Sequence, residues 1–160
     1  METLIKSVQE KLKTAVPELR WIDQDFGQFE LEKPPVDFPC ALIDIPDIQY
    51  SDSSNLEQIG DTTLTVRLGF RVYNRSNSKA PDMIKEKGRA HFAIIKKVYK
   101  VLHGHEDDEA NYNTITRATM LRGKSIDPRV YTLGFKTALF ETNEQATTHK
   151  PDLELEFKKY

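Results

Sequence analysis

The chain has 160 residues, 38% of them hydrophobic, with 23 basic side chains against 25 acidic ones and a formal net charge of -2. That size and apolar content suit one globular domain able to bury on the order of 70% of its unfolded surface, and the near balance of charge excludes a global attraction to nucleic acid or acidic membranes. Cys40 is the single cysteine, which excludes an internal disulfide and a thiolate metal cluster.

The opening residues METLIKSVQEKLK are amphipathic, without the uninterrupted apolar core of a secretion signal. No later run approaches the ~20 apolar residues that cross a bilayer. A soluble cytoplasmic product is the expectation. Leu4, Ile5, Val8, Leu12 and Ala15 recur at helical spacing, so a helix is predicted over 4–16, with Thr3 as its cap and Pro17 as its stop. Leu19 to Asp23 reads as a short strand carrying Trp21, followed by the turn Asp25-Phe26-Gly27. For Trp21 and Phe26, core or rim packing is preferred over anchoring a partner, because aromatics bury large areas.

After a loop at Pro34 to Asp37, the run CALIDIPDIQY carries two apolar faces: Cys40, Leu42 and Ile48 on one, Ala41, Ile43 and Ile45 on the other. A strand covered on both sides is predicted. Asp44 reads as a carboxylate bonded to a neighbouring backbone or hydroxyl group, and Pro46 marks a bulge or an unpaired edge. SDSSNLEQIG is a polar connection, a turn or mobile hairpin end. It leads into Asp61 to Asn74, the least ambiguous stretch of the chain. There Leu64, Val66, Leu68, Phe70 and Val72 alternate with Thr63, Thr65, Arg67, Arg71 and Tyr73, which predicts a half-buried strand roughly 40 Å long, antiparallel to its predecessor.

Pro81 and Asp82 open a long helix, and Gly104 caps its end. Ile84, Gly88, His91, Phe92, Ile95, Val98, Tyr99 and Leu102 share one face, while Lys85, Arg89, Lys96, Lys97 and Lys100 gather on the other. The acidic loop HEDDEANYN then leads to a strand over 114–122, a turn over 123–128 and a strand over 130–142. Tyr131, Leu133, Phe135 and Leu139 occupy one side of that last strand, with Thr132, Lys136 and Phe140 on the other. In the closing residues Leu153, Leu155 and Phe157 alternate with charge, as an added strand would. The fold class is therefore α+β: a mostly antiparallel sheet with long hairpins, one long helix and an N-terminal helix packed on one face. Residues 1–142 form one domain in this reading, and 143–160 a tail.

Chemistry-bearing residues are sparse. His103, His105 and Glu106 are the best metal candidates, but His103 and His105 straddle a helix cap without the i, i+4 pairing of helix-borne zinc sites. His91 falls on an apolar helix face, as a hydrogen-bonded core histidine would, and Cys40 opens an apolar strand, where a thiol is buried and inert. The glycines form no phosphate-cradling loop. A non-enzymatic protein without a cofactor is expected. The alternatives are a small metal-dependent enzyme using His103, His105 and Glu106, and a nucleic-acid-binding module using the basic helix face.

Taken together, the N-terminal helix, the strand PCALIDI, the run NLEQIGDTTLTVRLGFRVYN, the lone long helix and the closing LGFKTALFET resemble the tail terminator (tail completion) proteins of long-tailed bacteriophages and prophages. The resemblance is carried most by residues 58–74 and extends in element order over 1–142. It implies a non-enzymatic ring, usually of six subunits, that caps the tail tube and meets the head-side connector. Such a protein assembles in the bacterial cytoplasm, ends in the virion tail, and has no membrane or small-molecule partner. The interaction candidates on this reading are Arg67 and Arg71 on the outer face, Tyr50 and Leu56 at the hairpin end, and Leu153, Leu155 and Phe157 in the tail.

Overall fold

A computed structural model describes residues 1–142 with the exception of 55, 73, 75, 107, 108 and 110. In chain order the elements are α1 (Glu2–Ala15), β1 (Trp21–Gln24), a 3-10 turn (Gln28–Glu30), β2 (Cys40–Asp44), β3 (Ile48–Asp52), β4 (Glu57–Phe70), α2 (Asp82–Arg89), α3 (His91–Leu102), β5 (Thr116–Arg122) and β6 (Arg129–Thr142). The fold is α+β. The strands form one six-stranded sheet in the order β1-β2-β4-β6-β5, with β3 also paired to β4. Among the described residues only β1 and β2 run parallel, and every other pairing is antiparallel.

The alternation read in the two long strands decides the centre of the sheet. β4 and β6 pair along their whole lengths, which sets Leu64 opposite Phe135, Val66 opposite Leu133 and Leu68 opposite Tyr131. These side chains are buried, and they meet Leu4, Val8 and Leu12 of α1 and Ile95, Val98 and Leu102 of α3 in one apolar cluster. Both helices therefore cover the same sheet face.

The long strand occupies different residues from those expected. It stops at Phe70, short of Asn74, and begins at Glu57, so that part of the polar connection 51–60 is strand. Pairing to β3 on one side and β6 on the other satisfies that backbone even though the side chains of Glu57 and Gln58 are exposed. The turn shrinks to a tight return in which the amides of Ser53 and Ser54 both donate to the Glu57 carbonyl. The preceding apolar run is divided into β2 and β3 at 45–47, where Pro46 has no N–H to give the ladder. The hydroxyls of Thr62 and Thr65 compensate by donating to the carbonyls of Asp47 and Asp44. As expected, β2 is buried on both sides from Cys40 to Ile43.

The long helix is bent. α2 and α3 meet at Ala90, where the Ala90 and Ala93 amides donate three residues back, to Lys87 and Ala90. The bend seats His91, Ile95, Val98 and Leu102 on the sheet but leaves Ile84 and Phe92, both assigned to the apolar face, exposed. At the first helix the expected Thr3 cap is replaced: α1 starts at Glu2 with no side-chain cap. Gly104 has the positive φ, +84°, that a helix-ending residue requires. The packing expected of Phe26 is also corrected, since it is 75% exposed. Its turn is closed by polar bonds, from the Phe26 amide to Gln28 Oε1 and from the Gly27 amide to Asp25 Oδ1, and the ring is carried outward. Trp21 is left half-exposed at the sheet edge.

Candidate functional site

The sheet face opposite the helices is partly roofed by residues 25–39, and Arg67 holds that roof down. Its guanidinium donates to Asp25 Oδ2 at 2.8 Å and to Glu30 Oε1 at 2.7 Å, and lies over the Phe29 ring at 5.1 Å. Burial would pull the Arg67 pKa down, but its hydrogen bonds to Glu30 and Asp25, with the charges of both carboxylates, outweigh it and raise the group above its ordinary value. Beneath the roof, Gly69 leaves room for Phe29: a Cβ there would lie 2.6 Å from the ring tip and 2.9 Å from Cys40 Sγ. Cys40 is sealed by this packing, and burial pushes its thiol up to about 12. Arg71 reaches further along the same face, 4.8 Å above the Phe38 ring and 3.7 Å from Asp127. Both arginines are thus engaged within the chain, and Arg71 remains exposed.

Beyond the roof, β3, β4 and the end of β6 form an arm. Tyr50 crosses it: opposite Gly60, the ring passes over the backbone, and its hydroxyl donates to Glu141 Oε1 at 3.0 Å on β6. Only glycine allows this approach, because a Cβ at position 60 would lie 2.7 Å from Ile48 and 2.9 Å from the Tyr50 ring. At the tip, Gln58 donates to Asp52 and Leu56 is exposed. A concavity of about 760 Å³ at this tip is lined by Asp52, Leu56, Glu57, Gln58 and Glu141 with small hydroxyl residues, and by no histidine, cysteine, lysine or arginine among the described residues. Of its carboxylates, Asp52 accepts from Gln58 and Glu141 from the Tyr50 hydroxyl. The remaining interaction candidates, Leu153, Leu155 and Phe157, lie outside the described residues.

The three metal candidates are turned to different partners. The His103 ring accepts the Arg117 amide at 3.1 Å, His105 Nε2 is 2.9 Å from Ser7 Oγ on α1, and Glu106 accepts from the Thr114 hydroxyl at 2.7 Å. Ser7 also meets the Tyr112 hydroxyl at 2.8 Å, so this cluster ties α1 to the loop before β5. Among the described residues, no group of three or more His, Cys, Asp or Glu side chains is placed to hold a metal. On the basic helix face, Lys97 pairs with Glu18 and Lys85 with Asp82, while Arg89, Lys96 and Lys100 stay exposed.

His91 is a core histidine. Its Nε2 and the Tyr131 hydroxyl are 3.2 Å apart, it packs on Phe70 and Phe92, and its buried Nδ1 makes no well-aligned hydrogen bond among the described residues, the Gly88 carbonyl being its polar neighbour. Burial lowers its pKa, and the charges of Arg129 and Arg122 lower it further, against the opposing Gly88 carbonyl. The unfolded chain therefore takes up this proton first as the pH falls below the ordinary value of 6.5. The stability tied to neutral His91 is complete above that value and is lost as the pH falls toward the lower native one. Urea unfolding between about pH 7.5 and about pH 5.5 should show a steeper loss for the wild type than for His91→Phe. Equal slopes would mean that the ring titrates normally.

Fold and surface define an α+β protein whose distinctive features are a roofed sheet face and an exposed three-stranded arm. No family model and no curated protein matches the chain. Among solved structures it is similar to a chain of "Virion of native gene transfer agent (GTA) particle", at 10% identity and a TM-score of 0.39, covering 83% of this chain and 84% of that one. A likeness of that size transfers neither a mechanism nor a partner.

Proposed function

We propose that the protein is a non-enzymatic structural component of a phage or prophage particle, a tail terminator whose copies close into a ring of about six, cap the tail tube and receive the head-side connector. The observation that carries this reading is the open edge of the sheet. Among the described residues β5 pairs on one side only, and all of its residues are exposed, Met120 and Leu121 among them. Its hairpin turn presents Ile126, 81% exposed. An edge of this kind is a liability for a free monomer and is removed when identical subunits pair around a ring. The likeness of residues 58–74 to tail terminators supports the same assignment.

On this reading Tyr50 and Leu56 at the arm, and Leu153, Leu155 and Phe157 in the tail, contact neighbours or tube. Arg67 and Arg71 act by shaping the outer face that the assembled ring presents. The protein would be made in the bacterial cytoplasm and end in the virion tail. Electron microscopy of the purified chain mixed with polymerising tail-tube protein is the test. Ring-shaped caps and tubes of arrested length are expected; uncapped tubes, together with an absence of rings at any protein concentration, would reject the assignment.

A further inference from the structure

The sheet is electrically polarised along its strands. At the arm end, residues 47–62 and 137–142 contain Asp47, Asp52, Glu57, Asp61 and Glu141 and no lysine or arginine. All five carboxylates are on exposed residues. Asp52, Gln58 and Glu141 form one cross-strand row at the tip. At the other end of the same strands stand Arg71, Arg122, Lys124 and Arg129, with Lys87 facing the same corner beside Phe70 and Arg71. The intervening acid there is Asp127, already beside Arg71, and Lys136 shares a concavity with Asp47 and Asp61 at the root of the arm, so the negative charge of the tip itself rests on Asp52, Glu57 and Glu141. Each end also exposes apolar groups: Tyr50, Leu56 and Phe140 at the acidic tip, Leu121 and Ile126 at the basic base.

The two ends are separated by the length of β4, roughly 40 Å at ~3.3 Å per residue. That is several times the screening length of ~8 Å at physiological salt, so within one molecule they do not neutralise each other. Between molecules they do. We propose that copies of this chain meet end to end, the acidic tip of the arm in one against the basic base of the sheet in the next, with Leu56 and Tyr50 packing on Ile126 and Leu121. The occupant is a second copy because the one chain carries both complementary surfaces. Charge sets the orientation and the apolar groups provide the burial. Such a contact is heterologous and either closes into a ring or propagates as a filament. It rests on the ring reading only for closure.

Charge reversal distinguishes this contact from other associations. The tip variant carries Asp52→Lys and Glu57→Lys; the base variant carries Arg122→Glu and Lys124→Glu. All four positions are exposed, and circular dichroism melts verify the fold. In sedimentation velocity at ionic strength of about 0.05 M the wild type should associate, and the association should weaken roughly tenfold or more by about 0.5 M salt. Each reversed variant alone should lose association by a similar factor. An equimolar mixture of the two should regain it, because the basic base of one then meets the acidic tip of the other, and the fourfold variant should regain it as well. Should a reversal unfold the chain, Glu57→Gln and Lys124→Gln should each weaken association at smaller amplitude and regain part of it when mixed, while their combination in one chain should not. A wild type that stays monomeric at low salt, or a mixture no better than either variant alone, overturns the proposal. So does a base end that binds a DNA duplex through Arg122 and Lys124 without self-association. Charge-dependent filaments that never close would leave the contact standing and reject the ring, whereas salt-insensitive rings would do the reverse.

Discussion

Phe135→Ala should destabilise the protein by about 3–5 kcal/mol, a large share of the ~5–15 kcal/mol that a domain of this kind has in total. Phe135 is fully buried, stands opposite Leu64 in the central strand pair and lies in the cluster shared by the sheet, α1 and α3. Truncation removes a ring from a place where neither β4 nor the helices can close the gap without leaving register. Urea unfolding should show a lower midpoint at unchanged slope, and the melting temperature should fall by about 10 °C or more. Phe140→Ala is the control. It lies on the same strand but projects from the other face and is 42% exposed, so its effect should be clearly smaller, about 1 kcal/mol. If the two variants unfolded at the same urea concentration, the facing of β6 given above would be wrong.

Arg67→Ala should cost about 2–3 kcal/mol, below the full value for a buried pair because the arginine side chain is 25% exposed. The loss comes from what remains behind: Asp25, 6% exposed, keeps its charge with the Gly27 amide but without the cation that balanced it. Arg67→Lys should recover only part of this, since a single ammonium does not span Asp25 and Glu30 as the guanidinium fork does. Adding Asp25→Asn to Arg67→Ala should cost less than the sum of the single changes, a coupling measured by a double-mutant cycle. Limited proteolysis should cut first within 25–39 once the roof is released. A stable, protease-resistant Arg67→Ala protein that failed to form rings would instead place Arg67 directly against a neighbour.

Much of the site was invisible in the sequence for a specific reason. Arg67 is conspicuous as a cation on the polar side of a strand, yet its partners come from 37 and 42 positions away, in a loop without any periodic pattern. The roof could have been suspected from Gly69, a glycine inside a strand, which marks close approach by another group. Gly60 carries the same signal for Tyr50. The separation of acidic and basic ends needed the strand register, because Glu141 and Asp52 become neighbours only when β3, β4 and β6 are aligned.

Period-two alternation along 64–70 and 131–139 and the helical spacing of Leu4, Val8 and Leu12 were enough to assign an α+β fold and to name most of the core, because burial of one face imposes its pattern locally. The division of the apolar run at Pro46, the bend at Ala90, the outward turn of Phe26 and the roof under Arg67 were decided by tertiary structure. Each depends on a partner far away in the chain, and a local pattern holds no record of which distant group will arrive to satisfy a carbonyl, fill a glycine gap or neutralise a charge.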